Sequence, residues 1–584
     1  MLPVNLTQGR KGLGPLIALY PENSPTNIMI KKRTALCFLL STGAHANMTP
    51  GIDIPSPINE SRQNLQNSST EINHLIEERR QPHAKHPEAE IETPENSAPE
   101  LDDNAQCLPI SGVYIQGITL LTEADLETLS PMLEQCIGSA NVNLLARELT
   151  QLYLNKGYIT TRVQFIPPDE EDELGFDVTE GFIEGIESVD PELNGETVFP
   201  NMIGEPLNIK QLDQGLDQAN RLPSNKITVD ILPGKEPGGS ILRLSNIRSK
   251  PWHLTTSLDN YGNKSTGKWL SRNAFSFDNP LGLSDSLSLN ISTTTDNPQK
   301  NHSRAYSLFY SVPYGALTFS GFGSYSEYLY PLKLQFNTIE LQGKTQQHGL
   351  RTDYVFYRDQ DQINGLSAQL TYKQAENYFN EQKITVSSPT LTVFELGLNH
   401  LHILPTGIFN VNVSIEQGLS LLGADQNISA SYQDSQFTKA KAAVTSNQYF
   451  KLFDDFYLFS NQFYGQYTRD RLPGVEWLSV TDSNAVRGFS RNTLSADRGW
   501  YLQNTLSRNF SIGNTTITPR LGADIGRIQQ NPLGWRSAMG LSAGINVSYR
   551  DIKLDIEASR GHLLSGKTEN KDPTQILARF SYSF

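Results

Sequence analysis

The sequence predicts a transmembrane antiparallel β-barrel of about sixteen strands, preceded by two small α/β modules and an N-terminal helix with a linker. Residues 251–584 alternate between apolar and polar side chains with a period of two, and the chain stops on an aromatic residue. Residues 107–250 instead combine short strands with the apolar stripes of helices. The chain of 584 residues is acidic, with a net charge of −14, which argues against general nucleic-acid binding.

An export signal is predicted at residues 29–46. It has a positively charged start, an apolar stretch and a final Ala44-His-Ala46 that offers small residues for cleavage, the three parts of a secretory signal. Residues 1–28 contain nothing that such a signal needs, so we expect translation to start at Met29. No later segment approaches the ~20 apolar residues of a spanning helix, which excludes a helical membrane protein.

Residues 47–81 are predicted to contain an amphipathic helix that ends near Arg80. Apolar residues recur there with helical spacing, at Ile58, Leu65, Ile72, Leu75 and Ile76. Residues 82–106 are rich in proline and glutamate and predict a flexible linker. A disordered spacer with transient helicity explains the same composition.

Cys107 and Cys136 are the cysteines that remain once the export signal is removed. An even pair in an exported chain predicts a disulfide in the periplasm. Two unpaired buried thiols are the alternative.

The first α/β module is predicted at residues 107–183 and the second at residues 184–250. The first has the order β-α-α-β-β: a strand at 113–116, a capping box at Thr122 and Asp125, a helix ending at Gly157, and strands Tyr158–Phe165 and Phe176–Ile183. The second repeats this order more loosely, with a helix at Leu212–Asn220.

Residues 251–584 carry the predicted barrel. One strand has two distinct faces, with Ile552, Leu554, Ile556 and Ala558 on the first and Lys553, Asp555, Glu557 and Ser559 on the second. Charged residues on one face imply water there, so we expect lipid outside and a polar lumen inside. At about twenty residues per strand and turn, the segment gives about sixteen or seventeen strands, and closure of such a barrel favours an even number. The last strand places apolar residues on one face, at Ile576, Ala578, Phe580, Tyr582 and Phe584.

The longest gap between strands of the barrel is predicted as a loop at residues 471–498. Gly488 permits a tight reversal that presents Arg487 at a tip, where its guanidinium can pair with a carboxylate. Asp524 is a candidate partner, because Gly522 and Gly526 flank it and glycines in a strand mark the close approach of another segment. From these residues alone, two unrelated surface features are an equal alternative.

Two motifs give a family resemblance. Val486-Arg-Gly-Phe489 resembles the VRG(Y/F) motif of the two-partner secretion transporters, and Gly522-x-Asp524-x-Gly526 resembles the strand motif (F/G)xDxG of the same family. The resemblance implies that the loop folds back into the pore between strands 11 and 12. Arg487 would then pair with Asp524 on strand 13, in a wet lumen that partly screens both charges.

The modules carry a second part of the resemblance. Residues 152–162, with Glu180 and Gly181, resemble the first POTRA domain of these transporters, and residues 221–224 with Pro233 and Gly234 resemble the second. In the family, the N-terminal helix plugs the lumen. The POTRA domains would offer open strand edges to an unfolded polypeptide; a rigid spacer is the alternative. Phe580, Tyr582 and Phe584 resemble the signal for insertion of outer-membrane barrels.

The resemblance implies a pore in the outer membrane of a Gram-negative bacterium, with its POTRA domains in the periplasm. Its cargo would be a large exoprotein, such as a haemolysin, adhesin or contact-dependent inhibition toxin, recognised through an N-terminal secretion domain. Other expected partners are outer-membrane lipid, periplasmic chaperones and the barrel-assembly machinery, with no nucleic acid. An insertase of the same superfamily is the alternative, which two POTRA domains and the N-terminal helix speak against.

No catalytic, cofactor-binding or metal-binding residues are predicted. Residues 262–268 fit most of a phosphate-binding P-loop, but Trp269 stands where Ser or Thr should hold magnesium. The sequence has no GxSxG or HExxH motif. We therefore expect a transporter and not an enzyme.

Overall fold

The computed structural model describes most of the chain after residue 56. The described residues are 57–80, 108, 110–129, 138–190, 193–297, 299–333, 336–426, 434–490, 493–530, 534–565 and 572–584. The predicted export signal, the upstream residues 1–28, the linker 82–106, and both Cys107 and Cys136 lie outside them. No described helix is long and apolar enough to cross a membrane.

The helix expected near the N-terminus is α1, Pro57–Arg80. Its apolar residues Leu65, Ile72 and Ile76 are buried. Their neighbours include Leu391 and Phe322, which belong to the barrel wall. Helix α1 therefore lies within the barrel, with its apolar stripe against the wall.

The first module has the predicted order of elements. They are β1 (Gly112–Gln116), α2 (Glu123–Glu127), α3 (Ser139–Lys156), β2 (Arg162–Ile166) and β3 (Glu173–Thr179). The sheet order is β1-β3-β2, with β1 parallel to β3 and β2 antiparallel to it. The Asp125 carboxylate accepts hydrogen bonds from the backbone N and Oγ1 of Thr122, and Gly157 caps α3 with a φ of +97°. The predicted capping box and left-handed cap are confirmed.

The strand bounds of this module differ from the prediction. The first of the two late strands begins at Arg162 and not at Tyr158, and the strand expected through Ile183 ends at Thr179. The cause of the break is Glu180, whose carboxylate accepts hydrogen bonds from the backbone of Thr119 and Leu120 and from the Tyr153 hydroxyl.

Glu180 is held in its charged form at this break. Its partial burial would raise its pKa, but the hydrogen bonds from Thr119, Tyr153 and Leu120 outweigh burial and lower that pKa below its usual value. The charged Glu180 side chain therefore accepts hydrogen bonds at the point where the first module ends. The next strand belongs to a new sheet.

The second module begins at Phe182, two residues before the expected boundary. Its elements are β4 (Phe182–Ser188), α4 (Gly195–Val198), α5 (Ile209–Asn220), β5 (Ile227–Pro233) and β6 (Gly239–Asn246). The sheet order is β4-β6-β5. Ile183, Leu212, Leu242 and Leu244 are buried in its core.

Sixteen antiparallel strands form one closed barrel, as predicted. They are β7 (Trp252–Asp259), β8 (Leu270–Asp278), β9 (Ser286–Thr294), β10 (His302–Tyr314), β11 (Leu317–Lys333), β12 (Thr338–Arg358), β13 (Gln362–Phe379), β14 (Thr390–Leu404), β15 (Gly407–Leu419), β16 (Thr438–Leu452), β17 (Asp455–Thr468), β18 (Arg498–Ser507), β19 (Thr515–Gln530), β20 (Gly534–Tyr549), β21 (Ile552–Leu563) and β22 (Gln575–Ser583). Short strands at Gln382–Lys383 and Phe510–Ile512 extend the pairing of β13 and β19.

The barrel wall has an apolar outer face and a polar inner face. On β21, Ile552, Leu554 and Ile556 are exposed on the outside, whereas Glu557 and Ser559 are buried on the inside. The predicted alternation is therefore correct on this strand. A lipid-facing apolar surface around a polar interior is typical of outer-membrane barrels.

The first and last strands close the barrel. Residues 579–583 of β22 pair with residues 255–259 of β7, and the Phe584 amide donates to the Leu254 carbonyl at 2.8 Å. Beyond the end of β7, the Asn260 side chain accepts a hydrogen bond from the Ala578 amide at 2.8 Å and donates one to the Ile576 carbonyl at 3.0 Å. The side chains of Phe580, Tyr582 and Phe584 are exposed.

The second module docks on the barrel. The Arg221 guanidinium donates to Ser311 Oγ at 2.8 Å and to the Ser284 carbonyl at 2.9 Å, and the Gly315 amide donates to the Thr197 carbonyl at 2.9 Å. Arg358 forms an ion pair with Asp217. These contacts place the module beside the short turns of the barrel, at the end where the chain enters β7.

Candidate functional site

The loop between β17 and β18, residues 469–497, packs against the inner face of the wall. Leu478–Ser479 pairs with Ser495–Ala496 in a small ladder within the loop. Val480 and Val486 of the loop are fully buried with Ile528, Ala538 and Leu563 of the wall. The loop therefore joins strands 11 and 12 of the barrel and turns inward.

Arg487 and Asp524 form a bidentate ion pair. Arg487 Nε lies 2.7 Å from Asp524 Oδ2, and Arg487 Nη2 lies 2.7 Å from Asp524 Oδ1. The backbone N of Arg487 donates to the same carboxylate at 3.1 Å, and Nη2 also donates to the Asn504 carbonyl at 2.9 Å. Parallel N–H···O bonds of this kind fix geometry as well as charge.

The pair is buried, which differs from the hydrated pair that we expected. The side chain of Asp524 is 0% exposed and that of Arg487 is 8% exposed. Glu557 adds a second carboxylate, 3.7 Å from Arg487 Nη1. Water screens such charges little, so loss of one partner leaves a buried charge uncompensated.

Four wall glycines make room for the loop tip. A Cβ atom on Gly522 or Gly540 would overlap Arg487, and one on Gly526 would lie 2.9 Å from the Val486 side chain. A Cβ atom on Gly561 would lie 2.5 Å from the Phe489 ring. Gly522 and Gly526 were expected from the motif, whereas Gly540 and Gly561, on the next two strands, were missed.

Gly488 makes the turn at the tip. Its φ is +90°, and its carbonyl accepts a hydrogen bond from the Gly561 amide at 2.8 Å. A side chain there would overlap the Arg560 backbone. The next residue but one, Ser490, donates its amide to Asp572 at 2.9 Å. The structure thus brings Val486, Arg487, Gly488 and Phe489 together with Gly522, Asp524 and Gly526.

A second set of buried charges contacts the same loop, and sequence reasoning missed it. Glu476 of the loop lies 2.7 Å from Lys373 Nζ and 2.5 Å from Lys439 Nζ, both on the wall. The three residues lie far apart in sequence. A lysine at an inward position of a barrel strand is expected to face water, so the pattern alone gave no signal.

Helix α1 lies directly on this part of the loop. Arg62 Nη1 donates to the Gly474 carbonyl at 3.3 Å, and Gln66 Nε2 donates to the Trp477 carbonyl at 2.7 Å. At its other end, Arg80 Nη2 lies 2.6 Å from Asp353 Oδ1 of β12. The helix therefore contacts both the loop and the wall.

The described residues show no metal site. Across the ranges given above, no group of three or more His, Cys, Asp and Glu side chains is placed to hold a metal ion. The arrangement consists of ion pairs and close backbone packing around a central helix.

Comparison with known proteins identifies the family. Residues 238–547 match the family described as haemolysin secretion/activation protein ShlB/FhaC/HecB. This chain belongs to that family. Residues 108–181 match a ShlB-type POTRA domain, and residues 182–233 match a further POTRA domain.

Individual relatives of the ShlB/FhaC/HecB family cover almost the whole chain. The chain is 54% identical over 560 residues to the haemolysin transporter protein ShlB of Serratia marcescens, covering 95% of this chain and 100% of that protein. It is 50% identical over 568 residues to the haemolysin transporter protein HpmB of Proteus mirabilis, covering 95% and 100%. The solved structure of CdiB from Escherichia coli has a TM-score of 0.79 at 26% identity, covering 92% of this chain and 100% of that chain.

The family resemblance predicted from the motifs is confirmed. This ShlB-type protein is a two-partner secretion transporter of the outer membrane, with its POTRA domains in the periplasm. The short turns beside the second POTRA domain therefore face the periplasm. The loop at residues 469–497 enters the lumen from the opposite end, the cell surface.

Proposed function

We propose that this transporter exports a large haemolysin-class exoprotein, which arrives unfolded in the periplasm and is recognised through its N-terminal secretion domain. The observation that carries this proposal is the 54% identity with a haemolysin transporter over nearly the full length of both proteins. The lumen has buried polar residues on its inner face and holds helix α1, and a polar lining suits the passage of an extended chain.

The POTRA domains would capture the cargo by strand addition. Among the strands of the described residues, β2 pairs with β3 alone and β5 with β6 alone, so each leaves one side open in its sheet. Phe165 on β2 is 50% exposed beside Phe176. An extended segment can add to such an edge through backbone hydrogen bonds and place a side chain against the exposed ring.

The contacts of helix α1 and of the loop inside the barrel would control opening of the pore. Helix α1 would act as the plug that leaves the lumen during transport, while Arg487 and Asp524 hold the loop in the position that shapes the pore. The chain offers no nucleotide motif, so we propose that folding of the cargo outside the cell biases its movement outward. Transport would proceed without a catalytic step or a cofactor.

Biogenesis completes the proposal. Residues 29–46 would direct export and be removed, residues 82–106 would tether the plug, and Cys107 would form a disulfide with Cys136. Periplasmic chaperones and the barrel-assembly machinery would recognise the last strand, ending in Phe584, and place the barrel in outer-membrane lipid.

Deletion of the gene tests the cargo assignment. We expect one large polypeptide to disappear from the medium and to accumulate in the periplasm, as measured by mass spectrometry of both fractions, while other outer-membrane proteins keep their levels. Restoring the gene on a plasmid is the control. Depletion of many barrel proteins would instead indicate an insertase, and unchanged secretion would refute the proposal.

Substitution at the strand edge tests capture. Phe165→Ser should weaken binding of the cargo's secretion domain to the full-length protein, whereas Ile203→Ser removes an exposed apolar side chain from a turn and should not. Binding is measured by crosslinking in the periplasm. Equal binding by both variants would place recognition elsewhere.

A further inference from the structure

Glu476 ties the loop to a sector of the wall away from Asp524. It ends the short 3-10 turn Gly474–Glu476, and its side chain is 3% exposed. One carboxylate oxygen lies 2.7 Å from Lys373 of β13, and the other lies 2.5 Å from Lys439 of β16. The loop is therefore attached at two places, by Arg487 and by Glu476.

The charges around Glu476 balance only while the loop is in place. Lys439 also lies 2.9 Å from Glu416, and Lys441 lies 2.5 Å from Glu416 and 3.0 Å from Glu395. Three lysines thus meet three carboxylates, and Glu476 is the member of the set that belongs to the loop. Without it, three cations, of which Lys439 is buried and the other two are partly buried, would share two carboxylates, which an environment of low dielectric disfavours.

Helix α1 covers this attachment. Leu65 is buried with Leu472 and Val475, which precede Glu476 in the loop. A cavity of about 50 Å³ lies between the helix and the network beside Ser69 and Asn73, and a larger one of about 210 Å³ has Lys439 and Glu476 in its lining. The seated helix forms one side of both cavities, so its departure would admit more water to the network, and water weakens the attraction between the charges.

We infer that Glu476 is a positioning residue that holds the loop closed through Lys373 and Lys439, and that departure of helix α1 hydrates and weakens this attachment. The inference rests on the proposed function of the loop and the helix. It adds an order of events. The helix leaves the lumen first, and the contacts of Glu476 with the wall break afterwards.

Channel recording in planar lipid bilayers tests this role without any cargo. The full-length Glu476→Gln variant should open more often than the unchanged protein, by roughly tenfold. Lys373→Met should raise the opening frequency in the same direction, and it remains testable if the first variant folds poorly, because the Lys373 side chain is 15% exposed. The double variant should add little to Glu476→Gln, since both changes break the same pair.

Arg579→Met is the matched control. It removes a cation of the wall whose partner, Asp259, also lies on the wall and outside the network around Glu476, so the opening frequency should stay near that of the unchanged protein. Equal opening by Glu476→Gln and the unchanged protein would overturn the inference, and so would additive effects of Glu476→Gln and Lys373→Met. Either result would leave the secretion phenotype of the gene deletion intact, so failure of the proposed function would be recognised separately.

Discussion

Helix α1 and the loop at residues 469–497 both occupy the lumen, but the protein holds them in different ways. The loop has buried ion pairs and backbone packed against glycines, as at Arg487 and Gly540. The helix has an apolar stripe, hydrogen bonds spread along its length, such as Gln66 to Trp477 and Ser69 to Gln347, and an ion pair with Asp353 at its last residue, Arg80.

This difference supports our proposal that the helix is the element that leaves the lumen. A single hydrogen bond contributes about 1 kcal/mol because water replaces it readily, so the helix can exchange its hydrogen bonds one at a time, and its ion pair with the wall lies at one end, at Arg80. A buried ion pair that loses one partner costs about 3–5 kcal/mol. The loop is therefore bound to the wall more strongly than the helix is.

The largest expected effect comes from the pair that fixes the loop. Asp524→Ala leaves Arg487 buried without its main partner, so the loop attachment should lose about 3–5 kcal/mol. We expect an inserted barrel with little secretion, measured by cargo in the medium and by the heat-dependent mobility of the barrel on gels. Arg487→Ala should behave alike.

Asp555→Ala is the control for that comparison. Asp555 pairs with Arg520 within the wall, so the variant removes a lumenal carboxylate without freeing the loop, and secretion should persist. Absence of the Asp524→Ala barrel from the membrane would contradict a purely mechanical role and favour one in assembly.

A cavity under the helix should have the next largest effect. Leu65 is 4% exposed and packs with Leu472 and Val475, so Leu65→Ala should weaken seating of the helix by roughly 2–3 kcal/mol. The expected result is a larger fraction of open channels, with the loop still held by Arg487. Cysteine accessibility of the helix measures its departure, and unchanged accessibility would mean that other contacts seat it.

Crowding at the loop tip should have a smaller effect. Gly540→Ala places a methyl group against the Arg487 carbonyl, and overpacking of this kind costs about 1–3 kcal/mol. Secretion should fall in part. Gly321→Ala is the matched control, because its Cβ atom would meet only Leu350, at 3.6 Å. Equal secretion by both variants would show that the tip tolerates displacement.

The smallest expected effect is at a single hydrogen bond of the helix. Gln66→Ala removes the bond to the Trp477 carbonyl and should weaken seating by about 1 kcal/mol. Channel opening should rise only slightly above that of the unchanged protein. An effect as large as that of Leu65→Ala would show that the helix is held by specific polar contacts and not by its apolar stripe.

Sequence reasoning predicted the architecture and one of the two loop attachments. Period-two alternation is a local signal, so it was visible along residues 251–584. Arg487 and Asp524 were found because glycines and a motif mark them. Gly540 and Gly561 carry no such mark, since a glycine in a strand has many causes.

The buried charges at the loop could not be predicted from a local pattern in the sequence. Glu476, Lys373 and Lys439 meet only after the barrel closes and the loop turns inward, and inward charges are ordinary where a lumen holds water. The break at Glu180 was missed for a related reason, because the amides that it binds belong to a turn some sixty residues earlier.

The joint between β22 and β7 gives the barrel a preferred place to part. Its ladder covers residues 579–583, whereas β21 pairs with β22 over residues 575–582 and β7 pairs with β8 along its whole length. This ladder is shorter than the two neighbouring ladders, so once the added bonds of Asn260 and Phe584 are broken, heat or tension should separate β22 from β7 before it separates either neighbouring pair of strands. The strands that contact Arg487, β19, β20 and β21, are paired with one another on one side of that joint, so the opened sheet would still hold Arg487 in place.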